Sequence, residues 1–168
     1  MKYKHRKQYR LPYFNYASSG LYFVTICSFH RKNIFSEIVN GKSNLTKVGG
    51  YIYECLTNLP KKLSYVSIDE FVIMPNHIHI IFEINNPEEK MTIQIKQFQS
   101  LKRSLSLVVR NFKSTVTLLS RKEYPEIQIW QSRFYDRIIR NEKELQLIRK
   151  YIQNNPIQWE VDKITRKI

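Results

Sequence analysis

Alternating hydrophobic and polar positions predict short strands in several parts of the chain. The run LYFVTICSF, at Leu21–Phe29, is rich in β-branched and aromatic residues and predicts the first strand. YVSIDEFVIM and HIHIIFEI lie on either side of a Pro75–Asn76 turn and are close enough to form a hairpin. IQIWQSRFYDRII predicts a fourth strand, and FSEIVNGK predicts a short turn or hairpin around Asn40–Gly41.

Helical periodicity appears in two segments on either side of the predicted hairpin. Apolar residues recur at helical spacing over Thr46–Leu59, and Pro60 is expected to stop this helix. The Gly49–Gly50 pair weakens the prediction, because each glycine costs about 1 kcal/mol relative to alanine inside a helix. A single apolar stripe predicts a second helix over Ser104–Leu119.

A third helix is predicted from the N-cap signal at Asn141. Glu144 stands three residues later, where a capping-box partner is expected. The helix should extend to about Asn154, because Pro156 follows and proline has no backbone N–H group to donate. The remaining residues, 156–168, are then expected to form a short tail.

The order of these elements is β-α-β-β-α-β followed by a helix, which is the split βαβ pattern of ferredoxin-like domains. We therefore predict an α+β fold with an antiparallel sheet of four to five strands, helices on one face and a C-terminal helix that carries a tyrosine. The length of 168 residues favours a single domain over residues 1–168. Composition marks a basic N-terminal arm at 1–19 and a flexible loop at 85–103.

The composition is strongly basic, with 28 lysine and arginine residues against 14 aspartate and glutamate residues and a net charge of +14. Such a surplus favours a polyanionic partner, and nucleic acid fits better than a membrane because no strongly amphipathic basic anchor appears. No apolar run approaches the roughly 20 residues of a membrane span, and no signal-peptide core follows the basic start. We expect a cytoplasmic protein, associated with the nucleoid when it acts.

Glycine and cysteine usage narrows the chemistry further. The chain has four glycines, and none forms a phosphate-binding loop, which disfavours a nucleotide cofactor. Cys27 and Cys55 do not have the spacing of a metal-ligand pair. We interpret both as plain buried thiols of a protein from a reducing compartment.

Two of the four histidines stand in the stretch MPNHIHIIFEI, with one residue between them. Side chains on a strand alternate between its faces, so His77 and His79 point the same way, with Cβ atoms about 7 Å apart. The opposite face is needed for the core by Ile78, Ile80 and Phe82. Two neutral imidazoles at that distance can bind one metal ion, although two histidines on a solvated face are an equally simple interpretation.

Phosphodiester chemistry needs a nucleophile, and the chain has eleven tyrosines. Positions i and i+4 share a helix face, so a tyrosine and an amide at this spacing can meet the same ion. Tyr151 and Asn155 have this spacing inside the third helix, whereas Tyr124 is followed by Pro125, which disfavours helix. Tyr135 on the fourth strand is the alternative nucleophile. A purely structural interpretation has Tyr151 at the rim of the core and Asn155 as a C-cap.

Several segments together resemble one family. MPNHIHII is similar to the His-hydrophobic-His motif of the HUH single-tyrosine transposases. SRFYDRIIRNEKELQLIRKYIQNNP resembles the block that follows in their REP-associated, IS200-like branch, with its Tyr-Ile-x-x-Asn-Pro signature at Tyr151–Pro156. LYFVTIC with HRKNIF, IDEFVIMPNHIH and SLVVRNFKS extend the resemblance over about Tyr16–Trp159. The polar segment Asn85–Lys102 and the short tail depart from it.

The resemblance implies a metal-dependent transposase that cleaves single-stranded DNA and transfers the strand, with a target that contains an imperfect hairpin. In this family a tyrosine attacks the scissile phosphate and leaves a 5′-phosphotyrosine and a free 3′-OH. By this resemblance Tyr151 is the nucleophile. The same resemblance implies that the ligands of Mg²⁺ or Mn²⁺ are His77, His79 and Asn155. The enzyme would be a monomer or a homodimer.

Basic side chains on and near these elements are candidate DNA contacts. The candidates are Arg6, Arg10, Arg103, Arg110, Lys113, Arg133, Arg137, Arg140 and Lys150. The N-terminal arm also contributes tyrosines, which can stack on unpaired bases. Any one of these cations is equally well interpreted as a solvated surface charge.

Two other functions stay open on the sequence alone. A non-catalytic nucleic-acid-binding module on the same fold would use aromatic residues on the sheet and would not need the histidine pair or Tyr151. A metallohydrolase would use the histidines without covalent chemistry and would survive replacement of Tyr151 by phenylalanine. The presence of His77, His79 and Tyr151 at usable spacing favours the strand transferase.

Overall fold

The computed structural model describes residues 16, 18–86 and 103–165 of the chain. The strands in this part are β1 (Gly20–Ser28), β2 (Ser36–Val39), β3 (Lys42–Leu45), β4 (Val66–Ile73), β5 (His77–Ile84) and β6 (Trp130–Ile139). The helices are α1 (Lys47–Lys62), α2 (Leu105–Arg121) and α3 (Glu142–Thr165), and a 3-10 turn spans Phe29–Arg31. None of these described helices is long and apolar enough to cross a membrane.

The main sheet has the strand order β4-β5-β1-β6, and every neighbouring pair is antiparallel. α1 lies between β1 and β4 in the sequence, and α2 lies between β5 and β6. In the sheet, β5 is inserted between β1 and β4, which is the connectivity of the ferredoxin-like fold. The predicted fold class is therefore confirmed. β2 and β3 form a separate two-stranded hairpin.

The two faces of the main sheet bury different clusters of side chains. Tyr22, Val24 and Ile26 of β1 are fully buried in the large core, which the side chains of α1 and α2 complete. On the other face, Ile81 of β5 packs in a smaller cluster with Ile152 of α3. The sheet therefore has α1 and α2 on one face and the C-terminal helix on the other, which leaves α3 to cover the face that carries the histidines.

The β2–β3 hairpin turns at Asn40–Gly41, as the Asn-Gly pair predicts. Asn40 has a φ angle of 52° and Gly41 one of 68°, the left-handed values that this tight turn requires. The hairpin also holds the end of α3, because the N–H group of Gly41 donates to Oε2 of Glu160 at 2.7 Å. A Cβ atom at Gly41 would stand 3.0 Å from Ile157, so the helix and the turn are in close contact.

The Gly49–Gly50 pair lies at the start of α1 and is explained by packing. Thr46 caps the helix by accepting a hydrogen bond from the N–H group of Gly49 at 3.1 Å. A Cβ atom at Gly49 would stand 2.0 Å from the carbonyl oxygen of Phe35, so a larger residue requires a backbone shift. A Cβ atom at Gly50 would meet nothing within 4 Å. Close packing against Phe35 thus requires the first glycine but not the second.

The predicted end of α1 at Leu59 is wrong, because the helix contains Pro60 and continues to Lys62. A proline removes one backbone donor, but the donors that follow it can still find carbonyl groups one turn back. The N–H group of Leu63 reaches the carbonyl oxygen of Leu59 at 2.9 Å. Near a helix end, the single missing hydrogen bond is therefore not enough to stop the helix.

The predicted end of α3 near Asn154 is also wrong, because the helix contains Pro156 and continues to Thr165. The segment expected to be a short tail is thus helical up to that residue. Tertiary contacts account for the difference: Ile157 and Glu160 both contact the β2–β3 turn. These contacts stabilise the turns after the proline, which local sequence disfavours.

The start of α3 is close to the prediction. Oδ1 of Asn141 accepts a hydrogen bond from the N–H group of Glu144 at 2.9 Å, which confirms the N-cap. The carboxylate of Glu144 accepts from the N–H group of Arg140 at 3.0 Å, one residue before the position that a capping box uses. β6 begins at Trp130, later than the predicted start at Ile127. Most of the predicted arm 1–19 and loop 85–103 lies outside the described residues.

Candidate active site

β5 presents two histidines on the face of the sheet that α3 covers. His77 and His79 are 8% and 5% exposed, and their ring centroids lie 4.6 Å apart. Ile78 and Ile80 belong to the large core on the opposite face. The predicted alternation is confirmed, and the two imidazoles are buried rather than solvated on an open face.

Each imidazole is held through its Nδ1 atom. Nδ1 of His77 donates to Oδ1 of Asn76 at 2.8 Å. Nδ1 of His79 lies 2.8 Å from the hydroxyl oxygen of Thr25 on the neighbouring strand β1. With Nδ1 engaged, each ring keeps Nε2 for another partner, which is the arrangement that orients histidines in metal sites.

Burial keeps both rings neutral near pH 7. Desolvation lowers the pKa of His77 from 6.5 to about 4, and the positive charge of Arg31 contributes in the same direction. Desolvation lowers the pKa of His79 to about 3, with further contributions from His77 and Arg31. A neutral imidazole has a free lone pair, which is the form that binds a metal ion or accepts a hydrogen bond.

α3 places Tyr151 against the histidine pair. Its hydroxyl oxygen lies 3.3 Å from Nε2 of His79, and its ring meets that of Phe23 edge-on at 6.1 Å. The side chain is 51% exposed, so a large substrate can reach it. One turn later, the buried side chain of Asn155 lies beside His77, where a polar contact with it opposes the lowering of the pKa of this histidine. The predicted i and i+4 pair therefore reaches both histidines.

Tyr135, the alternative nucleophile, lies on the same face of the sheet but on β6. It is 43% exposed and pairs with Thr25 of β1. Thr25 pairs in turn with His79 of β5, so β1 separates Tyr135 from the strand that carries the histidines. The hydroxyl group of Tyr151 contacts His79 directly, and this geometry distinguishes the two candidates.

Polar contacts with β4 hold α3 in position over the sheet. The guanidinium group of Arg149 binds the carboxylate of Asp69, with Nε 2.9 Å from Oδ2. The amide of Gln153 donates to Oε2 of Glu70 at 3.1 Å. Arg149 and Gln153 are one turn apart and stand on either side of Tyr151 in the sequence. They fix the rotation of the helix and, with it, the direction of the tyrosine side chain.

The site offers two imidazoles and one carboxamide as ligands for a metal ion. Within the described ranges, no group of three or more His, Cys, Asp and Glu side chains is placed to hold one. The neutral Nε2 atoms of the two histidines, together with the neighbouring amide of Asn155, nevertheless fit a divalent cation and leave positions for substrate oxygens. Because these three ligands carry no charge, the ion would keep its full positive charge for an anionic substrate.

Some of the predicted DNA contacts lie on the histidine face. By strand alternation, Arg133 and Arg137 of β6 share the face of Tyr135, and Arg137 also pairs with Glu144 at 2.6 Å. Arg140 follows the end of β6, where it is exposed. Lys150 is exposed on α3.

Other predicted DNA contacts lie on the face of the sheet opposite the histidines. Arg110 and Lys113 line a groove of about 650 Å³ between α2 and β6, together with Trp130 and with Arg121, which the sequence pattern does not single out. Nζ of Lys113 donates to the carbonyl oxygen of Gln131 at 2.6 Å, so this lysine is partly engaged by the edge of the sheet. Burial lowers the pKa of Lys113.

Of the three remaining candidates, the structure describes Arg103, which lies away from both places. The guanidinium carbon of Arg103 stands 5.6 Å from the centroid of the Tyr65 ring, in a cation–π contact. Arg6 and Arg10 fall outside the described residues. Position alone does not test DNA binding, so the role of each of these cations stays a prediction.

Three side chains that the sequence pattern does not single out act on the histidines. Thr25 contacts His79, the charge of Arg31 affects both rings, and the ring centroid of Trp159 lies 5.9 Å from that of His77. Arg31 follows β1 with a left-handed φ angle of 56°. The two-residue alternation of β1 places Thr25 on the face opposite the apolar core residues of that strand. A last helix extended past Pro156 places Trp159 four residues after Asn155, on the same side of the helix. No sequence pattern indicates that Arg31 lies near the histidines.

Fold and site together define the class of the protein. The family model described as "Transposase IS200 like" matches residues 18–155, so the chain belongs to this family of DNA-cleaving transposases, and the resemblance inferred from the sequence is confirmed. A protein of Haemophilus influenzae strain Rd with no assigned function is 40% identical over 168 residues, which cover 95% of this chain and 93% of that one.

Two further relatives are more distant. A protein of the same organism named "Putative REP-associated tyrosine transposase" is 28% identical over 147 residues, which cover 86% of this chain and 74% of that one. A solved structure described as a REP-associated tyrosine transposase bound to a REP hairpin covers 91% of this chain and 74% of its own. Its TM-score of 0.62 at 20% identity shows the same fold.

Proposed function

We propose that this transposase cleaves and rejoins single-stranded DNA with a divalent metal ion, through a 5′-phosphotyrosine on Tyr151. The observation that carries the proposal is the 3.3 Å distance between the hydroxyl oxygen of Tyr151 and Nε2 of His79. A tyrosine hydroxyl group beside two buried, neutral imidazoles combines a nucleophile with ligands for a metal ion in one place.

The proposed reaction exchanges one phosphodiester bond for another. The phenol oxygen of Tyr151 attacks the scissile phosphorus and loses its proton. The bond from phosphorus to the 3′-oxygen breaks, and that oxygen takes up a proton and leaves as a 3′-OH group. Because the number of phosphoester bonds is unchanged, a 3′-OH group can reverse the step and join strands without ATP.

His77, His79 and Asn155 are the residues that would hold Mg²⁺ or Mn²⁺. When bound, the ion supplies positive charge to the phosphate oxygens as negative charge develops on them. The chain contributes the conditions for binding: burial keeps the imidazoles neutral, and Asn76 and Thr25 fix the ring orientations.

The proposed partner is a DNA hairpin with single-stranded flanks. The net charge of +14 favours binding to DNA, whether single-stranded or double-stranded. The histidine face, bordered by Arg133 and Lys150, suits a single strand that must reach Tyr151. The groove with Arg110 and Arg121, across the sheet, suits the phosphates of a duplex stem. The related structure described as bound to a REP hairpin supports a hairpin target here as well.

A denaturing gel tests the proposal. The full chain is mixed with labelled hairpin oligonucleotides that have single-stranded flanks, in Mg²⁺ or Mn²⁺. We expect a DNA band that is shifted covalently onto the protein and lost both in EDTA and in Tyr151→Phe. Tyr135→Phe is the matched control, because it removes a hydroxyl group from the same face of the sheet, and it should keep the adduct.

Each other outcome contradicts a different part of the proposal. Cleavage that persists in Tyr151→Phe would assign the reaction to Tyr135 or to metal-activated water. An adduct that forms in EDTA would contradict the metal requirement. Tight binding without cleavage, across a broad hairpin library, would identify a non-catalytic nucleic-acid-binding module.

A further inference from the structure

A second cavity lies beside the histidine pair, and the proposed reaction does not use it. Its volume is about 650 Å³, and it lies between the C-terminal part of α3, the start of β2 and the turn before β5. The side chains that matter to its chemistry are Asn33, Glu37, Pro75, Trp159, Asp162 and Lys163. We call it the Trp159 pocket.

The Trp159 pocket lies next to the active site, and Trp159 separates the two. Trp159 lines the pocket, and its ring centroid lies 5.9 Å from that of His77. Pro75, which also lines the pocket, stands two positions before His77 in the turn that leads into β5. A group that fills this cavity therefore lies next to a ring that contacts a proposed metal ligand.

The shape of the lining suits a flat, neutral ring. Trp159 is partly buried, while Pro75 and Ile38 are buried, so the cavity is bounded by an aromatic ring and apolar surface. Enzymes that handle unpaired nucleotides hold the base between such surfaces and read its Watson–Crick edge with polar side chains. The pocket has both components.

The charges in the pocket select against a phosphate group. Glu37 and Asp162 supply two carboxylates against the one ammonium group of Lys163. A phosphate would be repelled, whereas a base edge that donates hydrogen bonds would be attracted. The Watson–Crick edge of guanine presents two adjacent N–H donors, which match the two oxygens of one carboxylate. Thymine presents one donor between two carbonyl groups and fits poorly.

We propose that the Trp159 pocket binds one unpaired guanine that neighbours the scissile phosphate. This inference rests on the proposed function, because it assigns the site a preference for one base of the single strand. Trp159 stacks on the guanine ring, and the carboxylate of Glu37 accepts hydrogen bonds from its Watson–Crick edge. Asp162, whose Oδ1 accepts a hydrogen bond from Gln158 at 2.8 Å, adds negative charge beside it. By holding this base, the pocket sets which phosphate of the strand comes to Tyr151.

A selection experiment tests the base preference without cleavage. The full chain with Tyr151→Phe is incubated with a stem-loop library that has randomised single-stranded flanks, and the bound DNA is sequenced. We expect guanine to be enriched about tenfold at one flank position, the size of one good bidentate base contact. Adding Glu37→Gln and Asp162→Asn should remove the enrichment. Glu126→Gln, which removes a charge from the exposed turn before β6, should keep it.

A fluorescence experiment tests the stacking. 6-Methylisoxanthopterin, a fluorescent guanine analogue that keeps both Watson–Crick N–H donors, is placed at the enriched position, and its emission is followed as the Tyr151→Phe chain binds. We expect strong quenching that is lost in Trp159→Ala and kept in Trp159→Phe. Affinity for the stem-loop should fall about 5-fold or more in Trp159→Ala, the usual effect of losing one base–aromatic stack, so quenching is compared at saturating protein.

The outcomes separate this inference from the proposed function. Equal use of all bases at every flank position, an enrichment that survives loss of both acids, or quenching that survives Trp159→Ala would overturn the guanine pocket. Covalent adduct formation by the wild-type chain is measured in parallel on the same library. If the adduct forms and the base preference is absent, the pocket assignment fails while the proposed function stands.

Discussion

The hydroxyl oxygen of Thr25 lies 2.8 Å from Nδ1 of His79, across the pair of strands β1 and β5. The two residues are 54 positions apart in the sequence, so the sheet register creates this contact. It holds the imidazole with Nε2 beside the hydroxyl group of Tyr151. Outer hydrogen bonds of this kind set the orientation and basicity of metal-binding histidines.

Replacing Thr25 by valine removes the hydroxyl group and keeps the shape of the side chain. We expect Mn²⁺ affinity, measured by isothermal titration calorimetry, to fall about 10- to 100-fold, the usual effect of losing such a partner. Thr25→Ser keeps the hydroxyl group and should remain near the wild type. Equal Mn²⁺ affinity in Thr25→Val and the wild type would show that this contact does not support a metal site.

Asp69 is expected to position the proposed nucleophile, Tyr151, through α3. In Asp69→Asn the ionic contact with Arg149 is weakened, so the helix is held less firmly over the sheet. We expect covalent adduct formation at saturating DNA to slow about 10-fold, since small displacements of a reacting group are costly. The dissociation constant for DNA should stay within about twofold, because phosphate contacts elsewhere supply the binding.

The matched control for Asp69→Asn is Glu142→Gln. Glu142 lies 3.8 Å from the same guanidinium group, but its side chain is 72% exposed, against 18% for Asp69. An exposed pair at this distance contributes little. Similar losses of adduct rate in both variants would point to a general effect of charge rather than to positioning by Asp69.

The buried histidines make the metal-free protein sensitive to acid. The fold lowers the pKa of His77 to about 4 and that of His79 to about 3, from 6.5 in both cases. Just below pH 6.5, both rings therefore stay neutral in the folded protein, whereas the same histidines bind protons in the unfolded chain. Between about pH 6.5 and pH 4 the unfolded state therefore holds more protons than the folded state. Stability from these groups is present above pH 6.5 and is lost as the pH falls.

Urea unfolding in EDTA at pH 7, 6 and 5 measures this effect. The free energy of unfolding should decrease on acidification by at most about 1.4 kcal/mol per pH unit for each histidine. The double variant His77→Gln/His79→Gln should have a flatter pH profile, whatever its absolute stability. His30→Asn changes an exposed histidine in a left-handed turn and should keep the wild-type slope. Parallel profiles in all three proteins would rule out the buried pair as the cause.

The two neighbouring glycines of α1 should respond differently to alanine. Gly49→Ala places a Cβ atom 2.0 Å from the carbonyl oxygen of Phe35, and the forced backbone shift should lower the free energy of unfolding by about 2 kcal/mol or more. In Gly50→Ala the new Cβ atom has no other atom within 4 Å. This substitution should raise the free energy of unfolding by about 0.5–1 kcal/mol, since glycine is unfavourable inside a helix. Equal effects in chemical denaturation would contradict the packing explanation.

The features that the sequence predicts correctly depend on local periodicity. The two-residue repeat of a strand predicts that His77 and His79 point to the same face of the sheet. The helical repeat predicts that Tyr151 and Asn155 lie on the same side of their helix. The order of the elements then limits the topology to very few choices, of which the ferredoxin-like arrangement is one. These inferences need no knowledge of which distant segments meet.

The features that the sequence does not predict arise from distant contacts. Continuation of α3 through Pro156 depends on the hairpin that binds Glu160, and the presence of Trp159 beside His77 depends on that continuation. The effect of Arg31 depends on a left-handed turn after β1, which its residue type disfavours. Local preference is outweighed in each case by tertiary packing.

The unbroken course of α3 also constrains how the protein can change. Tyr151, Asn155 and Trp159 stand at successive intervals of four residues on one helix whose far end is fixed to the turn at Gly41. Each inserted residue would rotate everything beyond it by about 100° and advance it by about 1.5 Å. A single insertion after Asn155 would turn the indole away from His77 while leaving the tyrosine in place. The spacing of these three side chains is therefore expected to tolerate no length variation, which must be confined to the loops.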